Sequence, residues 1–202
     1  RIEKRSVIKK YATIEDAVVR TDETLQDLGK GSEHVSEVLF GLQDNWVDGK
    51  EIIEDKQRLL QQITTDLSLQ PMGFVLQSEA LYQHYISQQT HFSAILLSFA
   101  NQNITVLVII QGKLVFSETV GRSQDVSADV TEALSRYINQ HQGTYLPAKI
   151  VCASFVHAEE ELSDYQQQLL GVKWPDTIPF VQTPTIDVMR PELAISLISQ
   201  QA

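Results

Sequence analysis

Cysteine is nearly missing from this sequence of 202 residues. The single cysteine, Cys152, excludes an internal disulfide and a cysteine-rich zinc site. Because it lies in the apolar run 150–153, we expect its thiol to be buried and unreactive. No apolar stretch approaches the roughly 18 residues that a membrane-spanning helix needs, and no signal peptide is visible. A cytoplasmic chain is therefore expected.

Positive charge is scarce as well. The chain carries 16 Lys and Arg against 26 Asp and Glu, a formal net charge of −10, which argues against broad binding to nucleic acid or anionic membranes. The five histidines show no spacing typical of metal ligands, so we expect them at the surface or in an interface. P-loop, Rossmann and nucleophile-elbow motifs are absent.

The second half of the sequence predicts a sheet that starts as an antiparallel meander. Short apolar runs separated by turn residues indicate strands, and apolar residues at helical spacing follow them. The predicted elements are strands at 93–99, 104–110 and 113–120, a helix from Ser123 or Gln124 to Gly143, a strand at 148–153, a helix at 159–170, a strand at 177–182 and a helix from Pro191 to Gln201. This order, β-β-β-α-β-α-β-α, is typical of a ribonuclease-H-like unit.

The first half repeats the end of that order. Thr13 and Asp16 form a capping-box-like start for a helix. The predicted elements that follow are a strand at 35–42, a helix over 52–67, a strand at 72–77 and a helix at 79–88. The result is α-β-α-β-α, a second copy whose opening meander is absent. Residues 1–10 are a candidate for its last strand, and because the chain opens with Arg1 we expect further residues before it.

Three stretches, 37–47, 69–81 and 94–119, resemble actin-like proteins of the bacterial type IV pilus assembly and cell-division groups. The resemblance implies an α/β fold of two duplicated ribonuclease-H-like lobes. Residues 1–89 would form a partial first lobe (αβαβα) without its opening meander, and residues 90–202 a complete second lobe (βββαβαβα). Two unrelated small α/β lobes or a single mixed sheet remain the alternatives.

The same resemblance implies where a nucleotide would bind, because proteins of this superfamily hold ATP and Mg²⁺ with hairpins of the form Asp-x-Gly-x-x-x-Thr. In this sequence Ser98 stands in place of the Asp and Ala100 in place of the Gly. Residues 153–155, Ala-Ser-Phe, replace a nucleotide-contacting Gly-Gly. The degenerate phosphate-loop positions are Ser98, Asn103, Thr105 and Gly121. We therefore predict no bound cofactor, with ATP and Mg²⁺ as the alternative.

Two further positions have a functional and a structural interpretation. Glu79 resembles the acidic residue that polarises the attacking water in this superfamily, but a Glu in the first turn of a helix also complements the helix dipole. Arg122, between Gly121 and Ser123, could contact an anion or lie in an ordinary strand-to-helix turn.

The sequence favours a non-catalytic or weakly nucleotide-binding actin-like scaffold. Its partners would be proteins, either a membrane-anchored peptide or a second copy, in a complex of the pilus-assembly or cell-division type. One alternative is an ATPase whose first phosphate loop precedes residue 1, with Glu79 as its catalytic residue. A sugar- or acid-kinase-like enzyme is a third hypothesis, but it lacks a substrate-phosphorylating Asp motif. Titration with ATP discriminates between the first two.

Overall fold

The computed structural model describes residues 11–27 and 36–201, and the chain divides into two compact units. Unit 1 extends to Leu76 and includes the end of the chain from Ile198, and unit 2 runs from Gln77 to Leu197. The sequence placed the division after residue 89. It falls earlier because the helix at 77–88 packs on unit 2, where its Tyr82 hydroxyl donates to the Gly112 carbonyl at 3.0 Å.

Unit 1 is built on a parallel pair of strands joined by a helix. Its elements are α1 (Ile14–Asp27), β1 (Glu37–Leu42), β2 (Val47–Asp48), β3 (Glu51–Ile52), α2 (Glu54–Asp66) and β4 (Gln70–Leu76). β1 and β4 pair in parallel, whereas β2 and β3 form a short antiparallel hairpin that the sequence did not predict. The core between α1 and α2 contains Ala17, Leu59, Ile63 and Leu69. The predicted strand at 1–10 lies outside the described residues.

The predicted cap of α1 is present and involves two hydrogen bonds of Asp16. The Asp16 amide donates to the Thr13 hydroxyl at 3.1 Å, and the Asp16 carboxylate accepts from the Ala12 amide at 3.0 Å. The first bond satisfies a backbone N–H group that a helix start otherwise leaves unpaired, and the second holds the residue before the cap, so the start of α1 is determined locally.

Unit 2 contains a five-stranded sheet in the order β7-β6-β5-β8-β9. Its elements are α3 (Gln77–Gln88), β5 (Ala94–Phe99), β6 (Asn103–Ile110), β7 (Lys113–Gly121), α4 (Val126–Gln140), β8 (Lys149–Ser154), α5 (Glu159–Leu170), β9 (Thr185–Val188) and α6 (Pro191–Ser199). β5, β6 and β7 form the predicted antiparallel meander. β8 runs parallel to β5, and β9 parallel to β8. β5 and β8 are almost wholly buried, as expected for central strands.

Two predicted bounds in unit 2 are wrong. Residues 177–182 form no strand: they make a single bridge, Leu146 to Phe180, and the last strand is β9. Pro179 and Pro184 flank this bridge and have no N–H for a sheet ladder, so regular pairing with β8 begins only at Thr185. Helix α4 begins at Val126 because the Asp125 side chain caps it.

Candidate functional site

The candidate site is the turn between β5 and β6, residues 100–102, where the sequence predicted a degenerate phosphate loop. Ser98 is 4% exposed and pairs with Thr105 across the antiparallel strands. The Thr105 hydroxyl lies 2.9 Å from that of Thr119 on β7. The Ser98 and Thr105 hydroxyl groups therefore lie within the sheet, one on the strand before the turn and one on the strand after it. Neither can hold a hydrated metal as a carboxylate would.

Arg122 binds the backbone carbonyl groups of this turn. Its Nε donates to the Ala100 carbonyl at 3.1 Å, a terminal nitrogen donates to the Asn101 carbonyl, and its amide donates to the Gln102 carbonyl at 2.7 Å. The position of Arg122 follows from register, since the preceding Gly121 pairs with Asn103. A guanidinium with several fixed donors is suited to such a cluster of carbonyl oxygens.

The connection from β8 to α5 binds the turn from a second direction. Ser154 is fully buried, and its hydroxyl donates to the Phe99 carbonyl at 2.8 Å. The same oxygen accepts from the amide of His157 at 2.9 Å. The His157 ring places Nε2 3.1 Å from the Ala100 carbonyl and Nδ1 against the Glu161 carboxylate. The expectation that all five histidines are surface or interface residues is wrong for His157, whose exposure is 8%.

Tyr165 on α5 joins the two groups of contacts. Its ring stacks on Phe99 with centroids 4.7 Å apart, and its hydroxyl accepts from Arg122 at 2.7 Å. Burial is the largest influence on the Tyr165 hydroxyl and raises its pKa, so it stays protonated at neutral pH. The His157 ring meets Tyr165 edge to face at 5.9 Å.

The turn thus presents carbonyl oxygens that protein donors already occupy. Phosphate binding requires backbone N–H groups that point at the ligand, and the Ala100 amide is used within the turn, where it donates to the Asn103 carbonyl at 2.9 Å. At the start of α4 the Ser123 amide donates to the Asp129 carboxylate at 2.7 Å. These two amides therefore have protein acceptors and are not available to the phosphate groups of a nucleotide.

Glu79 lies apart from these contacts. It is an exposed residue in the first turn of α3, and its carboxylate accepts a 2.6 Å hydrogen bond from Gln83, one turn further along the same helix. The structure shows no contact between Glu79 and the turn. In the described ranges no group of three or more His, Cys, Asp or Glu residues is placed to hold a metal ion.

Sequence reasoning named Ser98, Asn103, Thr105, Gly121 and Arg122, but it missed the roles of His157 and Tyr165. The register of the meander brings Asn103 and Gly121 together, and Ser98 opposite Thr105. His157 and Glu161 lie four residues apart at the start of a helix, and this spacing was the one local signal that indicated a contact between them. Nothing local indicated that the ring would reach back to β5.

No family model matches the sequence, and a search of the curated proteins found no match. Solved structures do match. The ethanolamine utilization protein EutJ of Carboxydothermus hydrogenoformans has a TM-score of 0.53 and 10% identity, over 91% of this chain and 72% of that one. This similarity shows the fold, and the prediction of an α/β protein with the actin-like fold is confirmed.

Two further structures are similar over a smaller part of their length. A Bacteroides thetaiotaomicron protein described as having an actin-like ATPase fold and unknown function gives a TM-score of 0.41 at 12% identity, over 74% of this chain. A chain of the PilM-PilN type IV pilus biogenesis complex gives 0.48 at 10% identity, over 75% of this chain. This protein spans 50% and 55% of those two chains, respectively. No helix among the described residues is long and apolar enough to cross a membrane.

Proposed function

We propose that this protein is a non-catalytic actin-like scaffold that binds protein partners and does not bind ATP with useful affinity. The observation that carries the proposal is that the Ala100 and Ser123 amides already donate to the Asn103 carbonyl and the Asp129 carboxylate, and therefore do not point at a phosphate group. Ser98 adds to this, because a buried hydroxyl supplies no charge to hold Mg²⁺. A setting in a pilus-assembly or cell-division type complex follows from the sequence resemblance alone.

Partner binding is supported by an exposed apolar groove in unit 1. Met72 and Phe74 on β4 are 61% and 38% exposed, although a parallel strand is ordinarily covered on both faces. The groove has a volume of about 340 Å³, and its walls include Phe40, Leu60 and Pro71. An apolar segment of a partner would bury these side chains, which is the main source of free energy in protein association.

Isothermal titration of the chain with Mg-ATP tests the first part of the proposal. Each charge-assisted hydrogen bond that the turn cannot make removes roughly 1.5–3 kcal/mol, so we expect no binding tighter than about 1 mM. A dissociation constant below about 100 µM would contradict the proposal and favour the ATPase alternative. In that case Glu79→Gln should abolish hydrolysis without weakening ATP binding.

Sedimentation velocity over a range of concentrations tests whether the groove binds a second copy of the chain. Self-association through the groove predicts that Met72→Asp restores a single-chain mass. The matched control is Leu170→Asp, on the 52% exposed Leu170 of α5, which should leave association unchanged. Equal loss in both variants would contradict a role of the groove. A single-chain mass for the wild type would assign the partner role to a different protein.

A further inference from the structure

His157 lies between two hydrogen-bond acceptors. Its Nε2 is 3.1 Å from the Ala100 carbonyl oxygen, and its Nδ1 contacts the Glu161 carboxylate. A carbonyl oxygen has no proton to donate, and an ionised carboxylate only accepts. The ring is 8% exposed, so water cannot readily replace either partner.

These contacts require one proton more than a neutral imidazole and an ionised carboxylate possess. A neutral ring has a single N–H, which can satisfy either Ala100 or Glu161 but not both. The additional proton must reside on the ring, which then carries a positive charge, or on Glu161, which then donates to Nδ1. In both cases the observed geometry belongs to the protonated form of the pair.

The surroundings of the ring hold both signs of charge. Arg122, from the β7–α4 connection, is the nearby cation, and it reaches the same Ala100 carbonyl as His157. From α5 come the neutral hydroxyl of Tyr165 and the carboxylate of Glu161. Asp164 also acts on Tyr165 through its charge. The side chain of Glu161 is 55% exposed, whereas that of His157 is 8% exposed.

We propose that His157 and Glu161 form a proton-dependent latch on the β5–β6 turn. With the shared proton bound, His157 ties the Ala100 carbonyl of the turn to the first turn of α5. When the pH rises and one proton leaves, the remaining N–H stays on Nδ1, which faces the ionised Glu161 carboxylate, the stronger acceptor. The Nε2 lone pair then faces the Ala100 carbonyl oxygen, and that contact breaks. The turn is then held by Arg122 and Ser154. This inference goes beyond the proposed function, since it concerns how the turn is held and not what the protein binds.

Nuclear magnetic resonance of the chain with ¹⁵N-labelled histidine tests the latch. The spectrum reports directly whether one or both ring nitrogens carry a proton. In the protonated form of the pair, both nitrogens of His157 should give protonated signals, or Nδ1 should show a strong hydrogen bond from Glu161. As the pH rises, this signature should be lost together with a shift of the Ala100 and Asn101 backbone amide signals.

The variant Glu161→Gln separates the latch from ordinary histidine titration. A glutamine side-chain amide can donate to Nδ1, so a neutral ring with its proton on Nε2 satisfies both contacts. We expect the amide signals of the turn to respond less to pH in this variant than in wild type, because the neutral ring keeps its contact to Ala100. The matched control is Glu160→Gln, which removes the same charge from the same helix turn at an exposed position.

Two outcomes would overturn the inference. One is a wild-type His157 with a single protonated nitrogen and no strong Nδ1 hydrogen bond at every pH from about 5 to 8. The other is the same response of the turn to pH in wild type, Glu161→Gln and Glu160→Gln. Since Glu161 is half exposed, its substitution should leave the fold intact, and the methyl and amide spectra of unit 2 check this.

Discussion

Replacement of Arg122 by Ala should destabilise unit 2 by about 2–4 kcal/mol. The substitution removes the side-chain hydrogen bonds to the Ala100 and Asn101 carbonyl groups and to the Tyr165 hydroxyl. Hydrogen bonds that involve a charged donor contribute roughly 1.5–3 kcal/mol each, but water can replace part of them at this half-buried position. The estimate is therefore below the simple sum. Arg122→Lys should recover only part of the loss, because an ammonium group cannot reach several acceptors in fixed directions.

Urea unfolding monitored by tryptophan fluorescence measures this change. A Trp46→Phe background removes the tryptophan of unit 1, so the signal reports Trp174, which packs against Phe180 in unit 2 with ring centroids 5.1 Å apart. The matched control is Arg136→Ala. Arg136 is 48% exposed and pairs with Glu118 and Glu132, so water screens these ion pairs and the loss of Arg136 should cost much less free energy of unfolding than the loss of Arg122. If Arg122→Ala costs no more than Arg136→Ala, the turn does not depend on the guanidinium and our interpretation of the site is wrong.

Three further predictions concern unit 2. Burial raises the pKa of Cys152 to about 12, so a thiol reagent should label it only after denaturation; rapid labelling of the native protein would contradict this. Gly112→Ala should lower the free energy of unfolding by more than about 2 kcal/mol, because Gly112 has a φ of +78° and a Cβ there would lie 2.0 Å from the Thr90 carbonyl oxygen; a urea midpoint like that of the wild type would refute it. The pKa of Asp125 is lowered, chiefly because its carboxylate accepts a hydrogen bond from the Ser127 hydroxyl. The ionised carboxylate therefore stabilises the fold at a pH above the pKa of an unfolded Asp, and this contribution is lost as the pH falls through the lower pKa of the folded state. The thermal midpoint should then fall less steeply below about pH 4 in Asp125→Asn than in wild type, and equal slopes would argue against the cap.

Elements with local signals were predicted well. Thr13 and Asp16 determine the start of α1 through hydrogen bonds within five residues of chain, and such contacts leave a recognisable spacing. The bounds of α5 were predicted, and Gly171, which follows its last residue, marked its end. The meander was predicted because β5 and β6 are mostly apolar runs separated by a short polar turn.

Elements that depend on distant pairing were predicted less well. Residues 177–182 have strand-like composition, but Pro179 among them and Pro184 after them have no N–H to donate to a sheet. Besides β5, the strand that pairs with β8 is therefore β9, which begins only at Thr185. Whether α3 belongs to the first or second unit is decided by its packing on β5 and by the Tyr82 bond to Gly112, 30 residues away. Neither feature has a local sequence pattern.

The sequence by itself indicated the order of the main elements, through periodicity and residue type. A resemblance to actin-like proteins, carried by particular stretches of the sequence, implied the layout and the absence of the Asp and Gly from the predicted phosphate loop. Only the tertiary structure decided what occupies that loop. Arg122 reaches Ala100 across 22 residues of chain and His157 reaches it across 57. Sheet register sets such contacts, because it brings together the ends of β5, β7 and β8, and register is a property of paired strands that no single segment encodes.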